Sequence, residues 1–119
     1  MKTLIKKRKH AFDVQGRLCY YCKCPMWLGH EGRGFRQRHS LTRSQAQALR
    51  CTAEHLRARC DGGGNAIGNI VAACRRCNGA RHEQKKVLEP SAFLDYVEQR
   101  LAVGEWHRFD VGRHRLRSL

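Results

Sequence analysis

The sequence predicts an α+β fold in which one β-hairpin, several short helices and a metal staple make a single domain. Three observations carry that reading. From Leu49 to Arg57, Cys51, Ala53 and His55 alternate with polar neighbours, the period-two pattern of a half-buried strand. The turn signal Asp61-Gly62-Gly63-Gly64-Asn65 follows, and Asn69 to Ala73 reads as the returning strand. Two Cys-x-x-Cys pairs, Cys19/Cys22 and Cys74/Cys77, flank this hairpin, as paired thiolates do when they hold one metal ion.

A chain of 119 residues forms one domain, with a core small enough to need a staple. Its apolar share of 41% suits a folded protein rather than a disordered one. Its charge is unusual: 24 Lys and Arg stand against 10 Asp and Glu, a net +14, which points to a polyanionic partner rather than to a particular fold. No stretch is long and apolar enough for a membrane span. The charged start Met1-Lys2-Thr3-Leu4-Ile5-Lys6-Lys7-Arg8 leads into no apolar run, so it is not read as a signal peptide and a cytoplasmic chain is expected. In a reducing compartment seven cysteines, an odd number, argue for metal over a disulfide framework.

The elements follow in order. Residues 1–10 read as a mobile basic arm, and His10 to Gln15 as a short helix that Gly16 ends. Tyr20 and Tyr21 sit inside the first cysteine pair, where they would shield a zinc ion on one side. Residues 25–50 are expected to hold an inserted loop and a helix. The loop, over 26–41, shows no clear period and carries Arg33, Arg36 and Arg38; Thr42 caps the helix from Arg43 to Leu49. The hairpin core spans 51–87 and ends in a helix from about Asn78 to Val87, with Pro90 just beyond. Over 91–119, Ser91 caps a helix in which Phe93, Leu94, Val97 and Leu101 fall at helical spacing. Gly104 ends it, Trp106 and Phe109 dock on the core, and Arg113 to Arg117 form a basic tail. There are no internal repeats.

Cys19, Cys22, Cys74 and Cys77 would close a tetrahedral site around Zn2+, leaving no position for a reacting water, so this ion is structural. The pairs lie 51 residues apart, and the zinc would pin the N-terminal segment to the hairpin while supplying much of the folding energy. Cys24 could stand in for Cys22. Cys51 and Cys60 are expected as small buried hydrophobes.

Within the hairpin lie Glu54-His55, Gly62-Gly63, Asn69-Ile70-Val71 and Cys74-x-x-Cys77-Asn78. These residues resemble the HNH endonuclease family, in its zinc-bound, four-cysteine, McrA-like subgroup. The intervals, 14 positions from His55 to Asn69 and 9 from Asn69 to Asn78, are similar to those in the nuclease domain of RNA-guided CRISPR effectors. The resemblance implies a small ββα-metal (His-Me finger) nuclease core with a structural zinc and flanking helices. It also implies cleavage of phosphodiester bonds: His55 as general base, Glu54 and Asn78 as ligands of a catalytic Mg2+ or Mn2+, and Asn69 as a brace for the loop that aims His55. Two departures stand out. Glu54 replaces the family's usual Asp, and Arg81-His82 stands where a Lys is frequent.

The residue types suit that chemistry. Histidines titrate near the working pH and can take a proton from water. A hard cation on oxygen ligands neutralises the phosphate. Adjacent residues of an extended strand point to opposite faces, however, so a bulge near His55 is expected to bring Glu54 and His55 to one phosphate. His82, one turn after Asn78, could be a third metal ligand, a phosphate contact or a solvated side chain; Asn78 could instead cap its helix. Candidate DNA contacts are Arg57, Arg59, Arg75, Arg76 and Arg81, the basic arm and the tail, together with Arg33, Arg36 and Arg38 of the 26–41 loop, for which a solvated loop is an equal reading. Double-stranded DNA is the expected partner, either nicked or cut through; two cuts on one duplex would want two active sites, which a homodimer could supply. The competing reading is a non-catalytic zinc-knuckle module that binds nucleic acid; a third is a nuclease or toxin directed at RNA.

Overall fold

The structure, a computed structural model, describes residues 2–58 and 62–109. The expectations at Arg59, Cys60 and Asp61 and for the tail 113–117 lie outside the described residues. The elements run α1 (Lys2–Val14), α2 (Gly32–His39), α3 (Arg43–Ala48), β1 (Cys51–His55), β2 (Ile70–Cys74), α4 (Arg75–Glu83) and α5 (Pro90–Ala102). Single 3-10 turns cover Gly29–Glu31 and Ile67–Asn69.

The basic N-terminus is not an arm. Residues from Lys2 onward are helical, because Leu4, Lys7, Arg8, Ala11, Phe12 and Gln15 recur at three- and four-residue intervals and turn inward together. Lys and Arg are good helix formers, and their charges occupy the outer face; Lys9 pairs with Asp13 one turn on. The region read as a loop over 26–41 also contains a helix, α2, which buries Phe35 and stops at Ser40 in the left-handed conformation. Glycines at 32 and 34 hid its period. As expected, Thr42 caps α3, accepting from the Gln45 amide while the Gln45 side chain accepts from Thr42 N–H.

β1 and β2 pair antiparallel in unbroken register, from Cys51 opposite Cys74 to His55 opposite Ile70. The ladder continues through Leu56 N–H to Asn69 O at 2.9 Å. The expected bulge is therefore absent from this strand pair. A two-stranded sheet leaves two open edges. Gln15 covers one: its amide donates to Ala72 O at 2.8 Å and accepts from Ala72 N–H at 2.9 Å. Trp27 O covers the start of the other, accepting from Cys51 N–H at 3.0 Å.

α4 begins three residues before the expected Asn78 and ends at Glu83, because Cys74 and not Asn78 caps it: the Cys74 sulfur accepts from Cys77 N–H. α5 enters on Pro90, one residue before Ser91, and turns inward Phe93 and Val97, with Leu94 and Leu101 partly covered. Gly104, at φ +71°, lies just past the end of α5. Trp106 and Phe109 dock on the core as expected; Tyr21, Phe93 and Trp106 stack edge to face at its centre. Among the described residues no helix is long and apolar enough to cross a membrane.

Candidate active site and zinc centre

Both halves of the zinc centre are made by local turns. The chain reverses between Leu18 and Pro25, with Lys23 at φ +60° and Cys19 N–H bonded to Cys24 O at 2.9 Å, which places Cys19 and Cys22 on one side. Cys74 ends β2 and Cys77 lies in the first turn of α4. The four sulfurs gather within 4.8 Å of one another, all buried. Cys22 Sγ and Cys74 Sγ are 3.8 Å apart, matching the edge of about 3.8 Å that a tetrahedron with Zn–S bonds of about 2.3 Å requires. The donor set fits zinc.

Groups beside the thiols donate to them. Cys74 N–H reaches Cys19 Sγ at 3.2 Å, Trp106 Nε1 reaches Cys77 Sγ at 3.3 Å, and His107 Nε2 lies 3.5 Å from Cys22 Sγ. Such partners orient thiolates around a metal. Burial works against ionising Cys22, yet hydrogen bonds with Cys19, Cys24, Cys74 and Cys77 hold its thiol well below the usual range. Burial, reinforced by neighbouring thiols, pushes Cys74 and Cys77 well above it. A cation is what allows all four to be charged together. Cys22 rather than Cys24 completes the four-thiol group; Cys24 lies with Cys22 and His107 in a second buried cluster. Cys51 is buried as expected, and burial raises its thiol to about 12.

The hairpin presents two faces. On the first, Thr52 and Glu54 look toward α4. Glu54 is 1% exposed. Its Oε2 accepts from Tyr21 Oη at 3.0 Å and from Arg81 Nη1 at 2.9 Å, and its Oε1 lies 2.9 Å from His82 Nε2. Burial, then the Glu54 charge, pushes the Tyr21 hydroxyl far upward, so it serves as a donor. Asn78 sits one turn before His82 and donates to Thr52 Oγ1 at 2.9 Å and to Ala53 O at 3.3 Å. Glu54, Asn78 and His82 thus lie along one seam between β1 and α4.

His55 points to the other face. Its Nε2 is 2.8 Å from Asn65 Oδ1. The loop that carries Asn65 is fixed at both ends by Asn69, whose Oδ1 accepts from Arg57 N–H at 2.8 Å and whose Nδ2 donates to Arg57 O at 3.1 Å and Gly64 O at 2.8 Å. Lys7 of α1 holds Asn65 O. Gly63 lies so close to the Arg57–Ala58 backbone that a Cβ there would overlap it, which explains the paired glycines. His55 and Glu54 are therefore brought to opposite sides of one strand end rather than to one side.

Of the expected DNA contacts, Arg57, Arg75 and Arg76 are exposed, with Arg76 stacked 4.5 Å over the Trp106 ring. Arg81 corrects the expectation. It is 2% exposed, and its guanidinium is spent on Glu54, His55 O, Leu56 O and Leu88 O, so it faces the fold and not a phosphate. Sequence reasoning missed Tyr21, read as a zinc shield, and Asn65, read only as a turn residue. It also missed Thr52, and the placement of Trp106 and His107 on the thiols. A signal existed for Asn65 alone: an amide closing the glycine loop that follows a Glu-His pair.

Residues 41–84 match the family model of the HNH endonucleases. That stretch holds the ββα core, with a cysteine cluster beside it. It contains Glu54, His55, Asn69, Asn78 and His82 but only two of the four zinc thiols, so the segment before it completes the metal centre. No curated protein and no solved structure matches the chain.

Proposed function

We propose that this chain is a divalent-cation-dependent endonuclease that hydrolyses phosphodiester bonds in double-stranded DNA, with His55 as the general base. The observation that carries the reading is the 2.9 Å separation of Glu54 Oε1 and His82 Nε2 at the end of the strand that bears His55. That spacing is a hydrogen bond, and it also equals the roughly 3 Å between two ligand atoms each about 2.1 Å from one cation and about 90° apart, so a cation could take its place. Glu54 and His82 would hold Mg2+ or Mn2+, with Asn78 one turn away as the further ligand; because β1 sends Glu54 and His55 to opposite faces, one phosphate would have to lie across the end of the strand to meet both the ion and His55. When bound, the ion supplies positive charge to the phosphate and the leaving oxygen.

The remaining work belongs to the side chains. His55 donates Nε2–H to Asn65 Oδ1, which fixes the tautomer and leaves the Nδ1 lone pair to take a proton from water. Asn65 stabilises the imidazolium that results. Asn69 holds the two ends of the loop and so the angle of the imidazole. Arg81 and Tyr21 grip one carboxylate oxygen of Glu54 and turn the other toward His82. Arg57, Arg75, Arg76 and the excess positive charge attract the backbone and favour salt-sensitive binding with little sequence preference.

A second reading, a zinc-stabilised nucleic-acid-binding module without catalysis, is favoured by one feature: the Glu54 carboxylate is buried against Arg81. Nicking of supercoiled plasmid with added Mg2+ or Mn2+ separates the two. His55→Ala should lower the cleavage rate by about 100- to 10,000-fold with duplex binding retained. Binding without cleavage under any divalent ion would support the second reading, and equal cleavage of RNA would move the substrate class.

A further inference from the structure

α2 and α3 form a helix pair joined by Ser40 to Thr42, and a cavity of about 570 Å3 opens between them. Arg33, Arg36, Arg43, Gln37, Gln47 and Trp27 line it, and no carboxylate lines it or pairs with these arginines among the described residues. Arg33, Arg36 and Gln37 fall on one face of α2, and Arg43 and Gln47 lie one turn apart on α3. Three arginines thus line one cavity with no acid among its walls, and a bound anion would balance their charge.

The walls are held to one another. Trp27 Nε1 donates to Ala46 O at 2.7 Å, fixing α3 to the segment before α2. The Trp27 ring packs so tightly on Gly32 that a Cβ there would approach it to 2.9 Å. Phe35 anchors α2 in the core. The pocket is also placed relative to the proposed active site. Trp27 O accepts from Cys51 N–H, at the first residue of β1, and His55 is the last. The two ends of β1 are four strand steps, roughly 14 Å, apart.

From these observations we infer that the α2–α3 pocket is a second DNA-binding subsite, gripping backbone phosphates that flank the bond cut beside His55. The inference rests on the endonuclease reading and extends it: the amides of Gln37 and Gln47 and the three guanidiniums supply the donors that a phosphodiester requires. The pocket positions the duplex and takes no part in the chemistry.

The test is titration of a fluorescein-labelled duplex at several salt concentrations, in the His55→Ala chain so that the probe stays whole. Removing one arginine–phosphate interaction lowers the slope of log affinity against log salt by about 0.9. Adding Arg33→Gln, Arg36→Gln and Arg43→Gln should lower it by about 2 to 3, with roughly ten- to a hundredfold weaker binding at moderate salt, while the melting temperature and zinc content hold. A control removing the same charge at Lys85, Lys86 and Arg100 should change the slope by less than half as much. An equal effect of the control, or an unchanged slope in the pocket variant, overturns the subsite while leaving the endonuclease reading intact. Failure of the His55→Ala chain to bind any duplex overturns both.

Discussion

Replacing Arg81 with methionine probes the seam between β1 and α4 most sharply. Methionine keeps the bulk and removes the charge. The Arg81–Glu54 pair is buried on both sides, with side chains 3% and 1% exposed, and breaking such a pair from one side costs about 3–5 kcal/mol, because the other charge is left without a partner. Arg81 also donates to three carbonyls, those of His55, Leu56 and Leu88, which the substitution leaves without that donor. Against a net stability on the order of 5–15 kcal/mol, that is a large loss. For a domain of this size it amounts to a fall in Tm of about 10–20 °C. Calorimetry on the zinc-loaded protein, without other divalent ions, measures it. Glu54→Gln in the same chain should recover part of the loss, since a buried amide needs no counter-charge, so the two substitutions are far from additive. Added Mn2+ should raise the Tm of Arg81→Met more than that of the wild type, because the cation replaces the missing positive charge. An Arg81→Met protein melting within about 3 °C of the wild type would refute the reasoning, for Glu54 would then not depend on its ion pair.

Other outcomes follow from the same geometry. Removal of zinc by a strong chelator, or Cys22→Ser, should unfold the chain in circular dichroism, because structural zinc binding is worth about 10–16 kcal/mol, as much as the whole fold. Gly63→Ala should cut the cleavage rate by about 100-fold, since its Cβ would push the Arg57–Ala58 backbone and the Asn65 loop away; full activity in the Gly63→Ala protein would contradict the placement. Asn65→Ala should lower the same rate by about 10- to 100-fold, with duplex binding unchanged, by freeing the His55 tautomer. Cys51, with its thiol raised to about 12, should be only about one part in ten thousand thiolate at pH 8, and mass spectrometry should find it unalkylated in the native protein and alkylated at once in denaturant.

The hairpin, both cysteine knuckles and the Thr42 cap were legible in the sequence because each is a local signal: alternation, a glycine turn, a two-residue spacing, a hydroxyl before a helix. What was not legible had two causes. Charge masked period in α1, where the stripe of Leu4, Ala11 and Phe12 was present among the lysines and arginines, and glycine masked it in α2. The other misses were long-range. Nothing near Arg81 in the chain says that its guanidinium turns inward, because the partner is Glu54, 27 residues away. Tyr21 reaches the same carboxylate across 33 residues. Strand geometry correctly placed Glu54 and His55 on opposite faces; the added bulge was wrong because β1 pairs with β2 in unbroken register to His55 and the ladder runs on through Leu56.

A crystal of the His55→Ala protein grown with Mn2+ and a DNA duplex, with anomalous diffraction recorded at the zinc and manganese edges, tests the central claim most directly. The account predicts two distinct ions: zinc among Cys19, Cys22, Cys74 and Cys77, and manganese between Glu54 and His82, against a phosphate at the end of β1. Manganese elsewhere, with the Glu54 carboxylate still closed by Arg81 and His82 alone, would contradict it.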